Sequence, residues 1–291
     1  QIDKIIDEIA AAQQPDGYMN AYYVLTGLDK RWTDLNSKHE LYCAGHLMEA
    51  AVAYAQATGK TKLLDVARRM ADHIDSIFGP GKRVGWSGHP EIELALVKLY
   101  DYTGEQRYLN LVKFFLDVRG TTLQENCKDP KYMQAHKPIR EQTDVVGHAV
   151  RAMYLYAGVA DVAALTGDDR LIHAMDSIWH NVVDKKMHIT GGIGARHGSE
   201  AFGDDYELPN DTAYCETCAA IGLALWNQRL AMLHADGKYA DIVEQVLQCN
   251  KNAGSFRHPN QLPAPHQAHH LGQFDVERGL AGADRLRRPP P

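Results

Sequence analysis

Apolar residues recur along this chain at the spacing of one helical face. Leu41, Leu47, Met48, Ala51 and Tyr54 form one stripe, the turn Ala57-Thr58-Gly59-Lys60 interrupts it, and Leu63, Leu64, Ala67, Met70 and Ile74 resume it. The same punctuation returns at Tyr102-Thr103-Gly104-Glu105, Leu165-Thr166-Gly167-Asp168 and Ala235-Asp236-Gly237-Lys238. The glycine in each turn suits the left-handed position that ends a helix. Period-two alternation, the mark of a half-buried strand, is nearly absent. The pattern therefore predicts an all-α fold of αα-hairpins. The turn glycines stand at unequal intervals, so the surplus length falls in loops between hairpins. Tandem hairpins with long loops on one side predict a helical toroid or, failing that, an α-solenoid.

The unusual residues fall in those loops. Residues 119–140 and 185–212 are rich in Gly, Asp, Asn, Pro and His, and loops on a rigid scaffold commonly carry chemistry. The stretch Thr190-Gly191-Gly192-Ile193-Gly194 lacks the preceding strand and the Lys-Ser/Thr partner of a phosphate loop, so it reads as close-approach backbone instead. From about Asn252 periodicity stops, and residues 252–291 read as an irregular tail, disordered or out of frame, rich in His, Pro, Gly and Arg. The organisation expected is thus a helical body over 1–251 and a tail over 252–291.

Composition narrows the class without naming a function. The 291 residues are 45% hydrophobic and 23% charged, ordinary values for a globular protein. A net charge of −6 gives no basic footprint for nucleic acid. No apolar run approaches the roughly 18 to 20 residues that span a bilayer, and Gln1-Ile2-Asp3-Lys4 reads as the start of an amphipathic helix rather than a signal peptide. The expectation is a cytoplasmic domain with no membrane partner, from a chain that lacks a starting Met and has lost its true N-terminus. Five cysteines, an odd number set mostly in helical patterns, argue against a disulfide framework.

Three features carry candidate chemistry. The segment 209–222 packs Cys215, Glu216 and Cys218 at the predicted start of a buried helix, with Asp211 or Thr212 as its N-cap; backbone N–H groups there favour thiolate. By spacing alone Cys215 and Cys218 form one CxxC on one helical face, readable as a zinc half-site, a redox pair or two small buried residues. The redox reading lacks a βαβ neighbourhood, and a structural zinc lacks a second pair. Glu200 follows a flexible Gly-Ser and precedes Ala201-Phe202-Gly203, where a partly apolar pocket would raise its pKa for acid catalysis; the alternative is a solvated loop charge. Asp204, Asp205 and Glu207 would add negative potential. His39, His89 and His148 each stand at or near a predicted helix start. Singly they read as core histidines, but in a toroid alternate helix ends converge on one cavity, and three imidazoles with nearby carboxylates suit a polyhydroxylated ligand.

Three runs resemble glycoside hydrolase family 127, whose characterised members are β-L-arabinofuranosidases: His39-Glu40-Leu41-Tyr42-Cys43-Ala44-Gly45-His46-Leu47, Gly88-His89-Pro90-Glu91-Ile92-Glu93-Leu94 with its continuation to Tyr100, and Leu208-Pro209-Asn210-Asp211-Thr212-Ala213-Tyr214-Cys215-Glu216-Thr217-Cys218-Ala219. The resemblance runs from about Gln13 to Leu247. It implies an (α/α)6 barrel followed by β-sandwich domains, and a retaining hydrolysis of arabinose-containing oligosaccharides or glycoconjugates in which a zinc-bound cysteine attacks the anomeric carbon. By the same resemblance Glu200 is the general acid/base, Glu216 and Cys218 are two of the zinc ligands, and His39, His89 and His148 hold the sugar. Here the resemblance overrules the spacing that pairs Cys215 with Cys218. Glu216 and Cys218 stand two apart, so their site is expected at an irregular helix start.

One departure bears on activity. The family draws its nucleophile and remaining zinc ligand from an adjacent cysteine pair downstream of Cys218, and no Cys-Cys occurs in this chain. The expectation is a partial barrel whose zinc is weakly held or absent, since zinc takes four ligands. The other readings left open are an inactive carbohydrate-binding fragment and a different (α/α)6 sugar enzyme.

Overall fold

The computed structural model describes residues 1–253, with side chains through 248. The described residues form helices joined by loops, with no strand and only isolated β-bridges. Helices α1 (Ile2–Ala12) and α2 (Ala21–Thr26) precede four hairpins. These pair α3 (Glu40–Thr58) with α4 (Lys62–Ile77), α5 (Ile92–Thr103) with α6 (Gln106–Val118), α7 (Ala149–Thr166) with α8 (Asp169–Asn181), and α9 (Thr217–His234) with α10 (Gly237–Ala253). The expected tail over 252–291 lies outside the described residues, save for the last two positions of α10.

Three of the four turns close as the sequence predicts. Gly59, Gly104 and Gly167 take the left-handed conformation, each donating its N–H to the carbonyl four residues back. The fourth differs: Ala235 adopts the left-handed angle, φ 52°, and Gly237 is the first residue of α10. The Asp236 carboxylate accepts the Lys238 N–H at 3.0 Å, capping α10 early and drawing Gly237 into the helix.

The hairpins form two layers. Helix α3 packs on α5, α5 on α7 and α7 on α9, while α1, α4 and α6 line up outside them. Of the inner helices, α5 and α7 bury side chains nearly all round, α7 from Ala149 to Ala163, whereas α3 and α9 bury one face. The outer ones bury one stripe; in α4 it holds Leu63, Leu64, Ala67, Met70 and Ile74, the residues the pattern picked out. Each such Leu, Ile or Met contributes about 1.5–3 kcal/mol by leaving water. This inner and outer layering is the arrangement of the helical barrel.

The long connections lead from outer helices back to inner ones. A buried ion pair ties the first of them down: Arg119 donates to Glu93 Oε1 at 3.0 Å and to the Ser87 carbonyl at 2.7 Å. The same guanidinium donates to the Met133 carbonyl at 2.9 Å and lies 4.6 Å above the Trp86 ring. Residues 86–93, which carry His89, are thereby held to the loop ahead of α7.

Candidate active site

The starts of three inner helices bring the predicted histidines together. His39 is the N-cap of α3 and His148 the N-cap of α7, while His89 lies just ahead of Glu91, the N-cap of α5. Ring centroids stand 5.8 Å apart for His39 and His89, and 6.0 Å for His89 and His148. Tyrosines that the sequence reading passed over fill the gaps. Tyr42 is 4.4 Å from His89, Tyr154 is 5.9 Å from it, and Tyr132 is 5.3 Å from His148. Only Tyr42 carried a signal, sitting one turn after His39 on the same helix face.

Glu200 meets this group from the second loop. Its backbone is left-handed, φ 51°, and the Ala149 N–H donates to its carbonyl at 2.9 Å, fixing the residue against the start of α7. His148 Nδ1 accepts the Arg151 N–H at 3.4 Å, so Nε2 carries the proton and faces Glu200 Oε2 at 2.9 Å. The Tyr214 hydroxyl donates to Oε1 at 3.3 Å. Burial holds the His148 pKa below the ordinary histidine range and takes that of His89 down to about 3. Both imidazoles are therefore neutral near pH 7; His148 commits both ring nitrogens to Arg151 and Glu200, while His89 Nδ1 donates to the Pro90 carbonyl at 3.0 Å and leaves Nε2 to accept from a hydroxyl.

Arg151, also unforeseen, is buried beneath. Its Nη1 donates to the Gly88 carbonyl at 2.8 Å, and its guanidinium lies 5.0 Å from the Tyr132 ring, linking the His89 and His148 loops. An arginine inside the apolar α7 run was the available clue.

Glu216 is the N-cap of α9 and Cys218 follows in its first turn, at the irregular helix start expected for them. The Glu216 carboxylate beside Cys218, followed by burial, pushes the thiol pKa up. The helix start therefore does not favour a free thiolate here, contrary to expectation, because the adjacent carboxylate outweighs the backbone N–H groups. Cys215 departs from the spacing argument too. It lies outside the helix at φ 42°, its N–H bound to the Gly194 carbonyl at 3.0 Å, so it does not share a helical face with Cys218. That commitment also delays α9, and the exposed Asp211 and Thr212 do not cap it. Cys43, Cys127, Cys215 and Cys218 are all free thiols.

The loop acids are likewise compensated. Arg196 pairs with Asp204 at 3.0 Å and Glu207 at 2.6 Å, and Asp205 with Lys185 at 2.8 Å and Lys186 at 3.6 Å, so three cations offset the three acids beside Glu200. A polar cavity of about 490 Å³ opens among these loops between Tyr132, Gly147, Ser199 and Phe202; the histidines do not line it. Deeper along α3, the donor atoms of His46, Glu49 and Glu91 lie within 4.8 Å of one another, a group the sequence reading did not single out.

Fold and site together define a class: a helical barrel of the glycoside hydrolase kind, with imidazoles, phenols and a histidine-bound carboxyl gathered at its inner helix starts. The profile of the β-L-arabinofuranosidase GH127 catalytic domain matches residues 1–255, and the chain belongs to this family. It is 44% identical to the non-reducing end β-L-arabinofuranosidase of Bifidobacterium longum subsp. longum, over 84% of this chain and 41% of that protein. The GH127 β-L-arabinofuranosidase Ara127N-Se of Geobacillus stearothermophilus T6 superposes with a TM-score of 0.80 at 48% identity, covering 84% of this chain and 41% of that one. A second solved GH127 β-arabinofuranosidase gives 0.79 at 49% identity, with 84% and 40% coverage. The chain thus spans about two fifths of the length of these relatives.

Zinc tests the site further. Glu216 and Cys218 are of the right donor type, but among the described residues no third donor joins them in a metal-binding group. A closed zinc site takes four. Two donors fall short of that number.

Proposed function

We propose that this chain carries the sugar-binding and proton-transferring part of a retaining β-L-arabinofuranosidase-like glycoside hydrolase acting on arabinose-containing oligosaccharides or glycoconjugates. The observation that carries the reading is the 2.9 Å contact of His148 Nε2 with Glu200 Oε2 beside the His39, His89 and Tyr42 group. His39 and His89 bind the sugar hydroxyls, and the tyrosine rings exclude water from the sugar's apolar face. His148, which the resemblance also makes a sugar residue, reaches the sugar through Glu200 because both its ring nitrogens are taken. Glu200 protonates the glycosidic oxygen as the leaving group departs and takes a proton from the incoming nucleophile afterwards. His148 and Tyr214 hold its carboxyl in place. Glu216 and Cys218 would hold zinc together with donors outside the described residues; bound there, the metal keeps thiolates ionised near neutral pH. The nucleophile the resemblance implies, one of an adjacent cysteine pair, is not among the five cysteines here. We place the protein in the cytoplasm, which fractionation of the producing cells tests.

Azide supplies the missing nucleophile. It attacks the anomeric carbon of 4-nitrophenyl β-L-arabinofuranoside, the carbon–oxygen bond breaks, and Glu200 gives its proton to the departing nitrophenolate. The reading expects azide-dependent nitrophenol release that Glu200→Gln reduces by about 10²-fold or more. The missing cysteine pair favours a second reading, a carbohydrate-binding module. Methyl β-L-arabinofuranoside binding without azide-dependent release would favour that module, and no binding at all would overturn both.

A further inference from the structure

Below the histidine group, Glu91 is wholly buried at the start of α5 with neither carboxylate oxygen accepting a hydrogen bond. His46 Nδ1 approaches Oε1 to 3.1 Å without forming one, and Glu49 stands alongside, one turn further along α3. An uncompensated carboxylate inside a protein is costly, so such a group implies a proton or a cation. The helix is shaped to admit it: a Cβ on Gly45 would stand 2.7 Å from Glu91 Cγ and 3.0 Å from its carbonyl carbon. Any larger residue there would push Glu91 out.

We propose that His46, Glu49 and Glu91 form a binding site for a divalent transition cation of the Mn²⁺ or Zn²⁺ kind, separate from the Glu216–Cys218 pair. One imidazole nitrogen with two carboxylates is a donor set such ions accept, water completing the shell. They hold their donors within roughly 4 Å of each other, so a triad spread over 4.8 Å closes by about an ångström on binding. His46, its side chain 44% exposed, and Glu49, at 22%, have room to move, while buried Glu91 is the fixed point.

Lys98 is the competitor. Its ammonium contacts Glu49 Oε1, and Arg229 with its partner Asp161 lies further out. With its side chain 42% exposed, Lys98 can swing into water when a dication arrives.

Mn²⁺ tests the site on the full 291-residue chain, because it prefers oxygen and nitrogen donors to thiolate and so does not report on Cys218. Loss of the free-ion paramagnetic resonance signal measures affinity. The proposal expects saturable binding, weakened at least tenfold by Glu91→Gln and tightened several-fold by Lys98→Met. Absent binding in the wild-type chain would overturn it. So would unchanged affinity in Glu91→Gln, which would place the ion at histidines elsewhere. Should Glu91→Gln not fold, Lys98→Met decides alone, and unchanged or weaker binding in that variant refutes the site.

Discussion

His148 Nε2 lies 2.9 Å from Glu200 Oε2, joining the cap of an inner helix to a loop residue 52 positions away. In the proposed reaction His148 acts through Glu200, as a positioning residue that aims the carboxyl. His148→Ala should therefore lower the rate constant of azide-dependent hydrolysis about ten- to a hundredfold while raising KM much less. Equal losses in both would make it only a sugar ligand.

Burial of His89 and His148 makes stability depend on pH. The unfolded chain protonates these imidazoles near 6.5, the folded one only further down, to about 3 for His89. Between those values the unfolded state binds more protons, so stability rises with pH there and falls as pH drops from 7. Thermal melting followed from pH 7 to pH 4.5 should show a declining Tm, and His89→Gln should flatten the slope. Glu91 acts oppositely: burial, then its Glu49 neighbour, raise its pKa, so its contribution is lost at alkaline pH.

The Cys218 thiol, raised by the Glu216 carboxylate, should alkylate slowly in metal-free protein at pH 7. Glu216→Gln removes the charge, so iodoacetamide labelling at Cys218, located by peptide mass, should quicken several-fold. A slower or unchanged rate would show that the carboxylate does not control the thiol.

Removing one partner of the buried Arg119–Glu93 pair strands a charge in the core. Glu93→Ala should cost about 3–5 kcal/mol in a urea unfolding experiment. It should also weaken sugar binding, because Arg119 holds the Ser87 carbonyl ahead of His89. A cost below about 1 kcal/mol would mean the core relaxes around the loss.

The helical body was legible because its information is local: turn glycines and apolar stripes mark the hairpins wherever they stand. Residues at helix starts, His39, His148 and Glu216, were legible by resemblance for the same reason. Tyr132, Tyr214 and Arg151 were not, since their roles depend on loops that meet only in three dimensions. The Cys215–Cys218 spacing misled because one hydrogen bond, from the Cys215 N–H to Gly194, moves the helix start past it. The pairing of Asp204 and Glu207 with Arg196 is likewise a tertiary fact that a run of acids does not disclose.

The central claim is that the inner helix starts bind an arabinofuranoside through imidazoles. Calorimetric titration of methyl β-L-arabinofuranoside into the wild-type chain and the His89→Ala variant tests it most directly. Saturable wild-type binding that His89→Ala weakens at least tenfold, about 1.4 kcal/mol, is the predicted result. Undetectable binding to the wild type, or equal affinity in a variant that melts like it, would contradict the account.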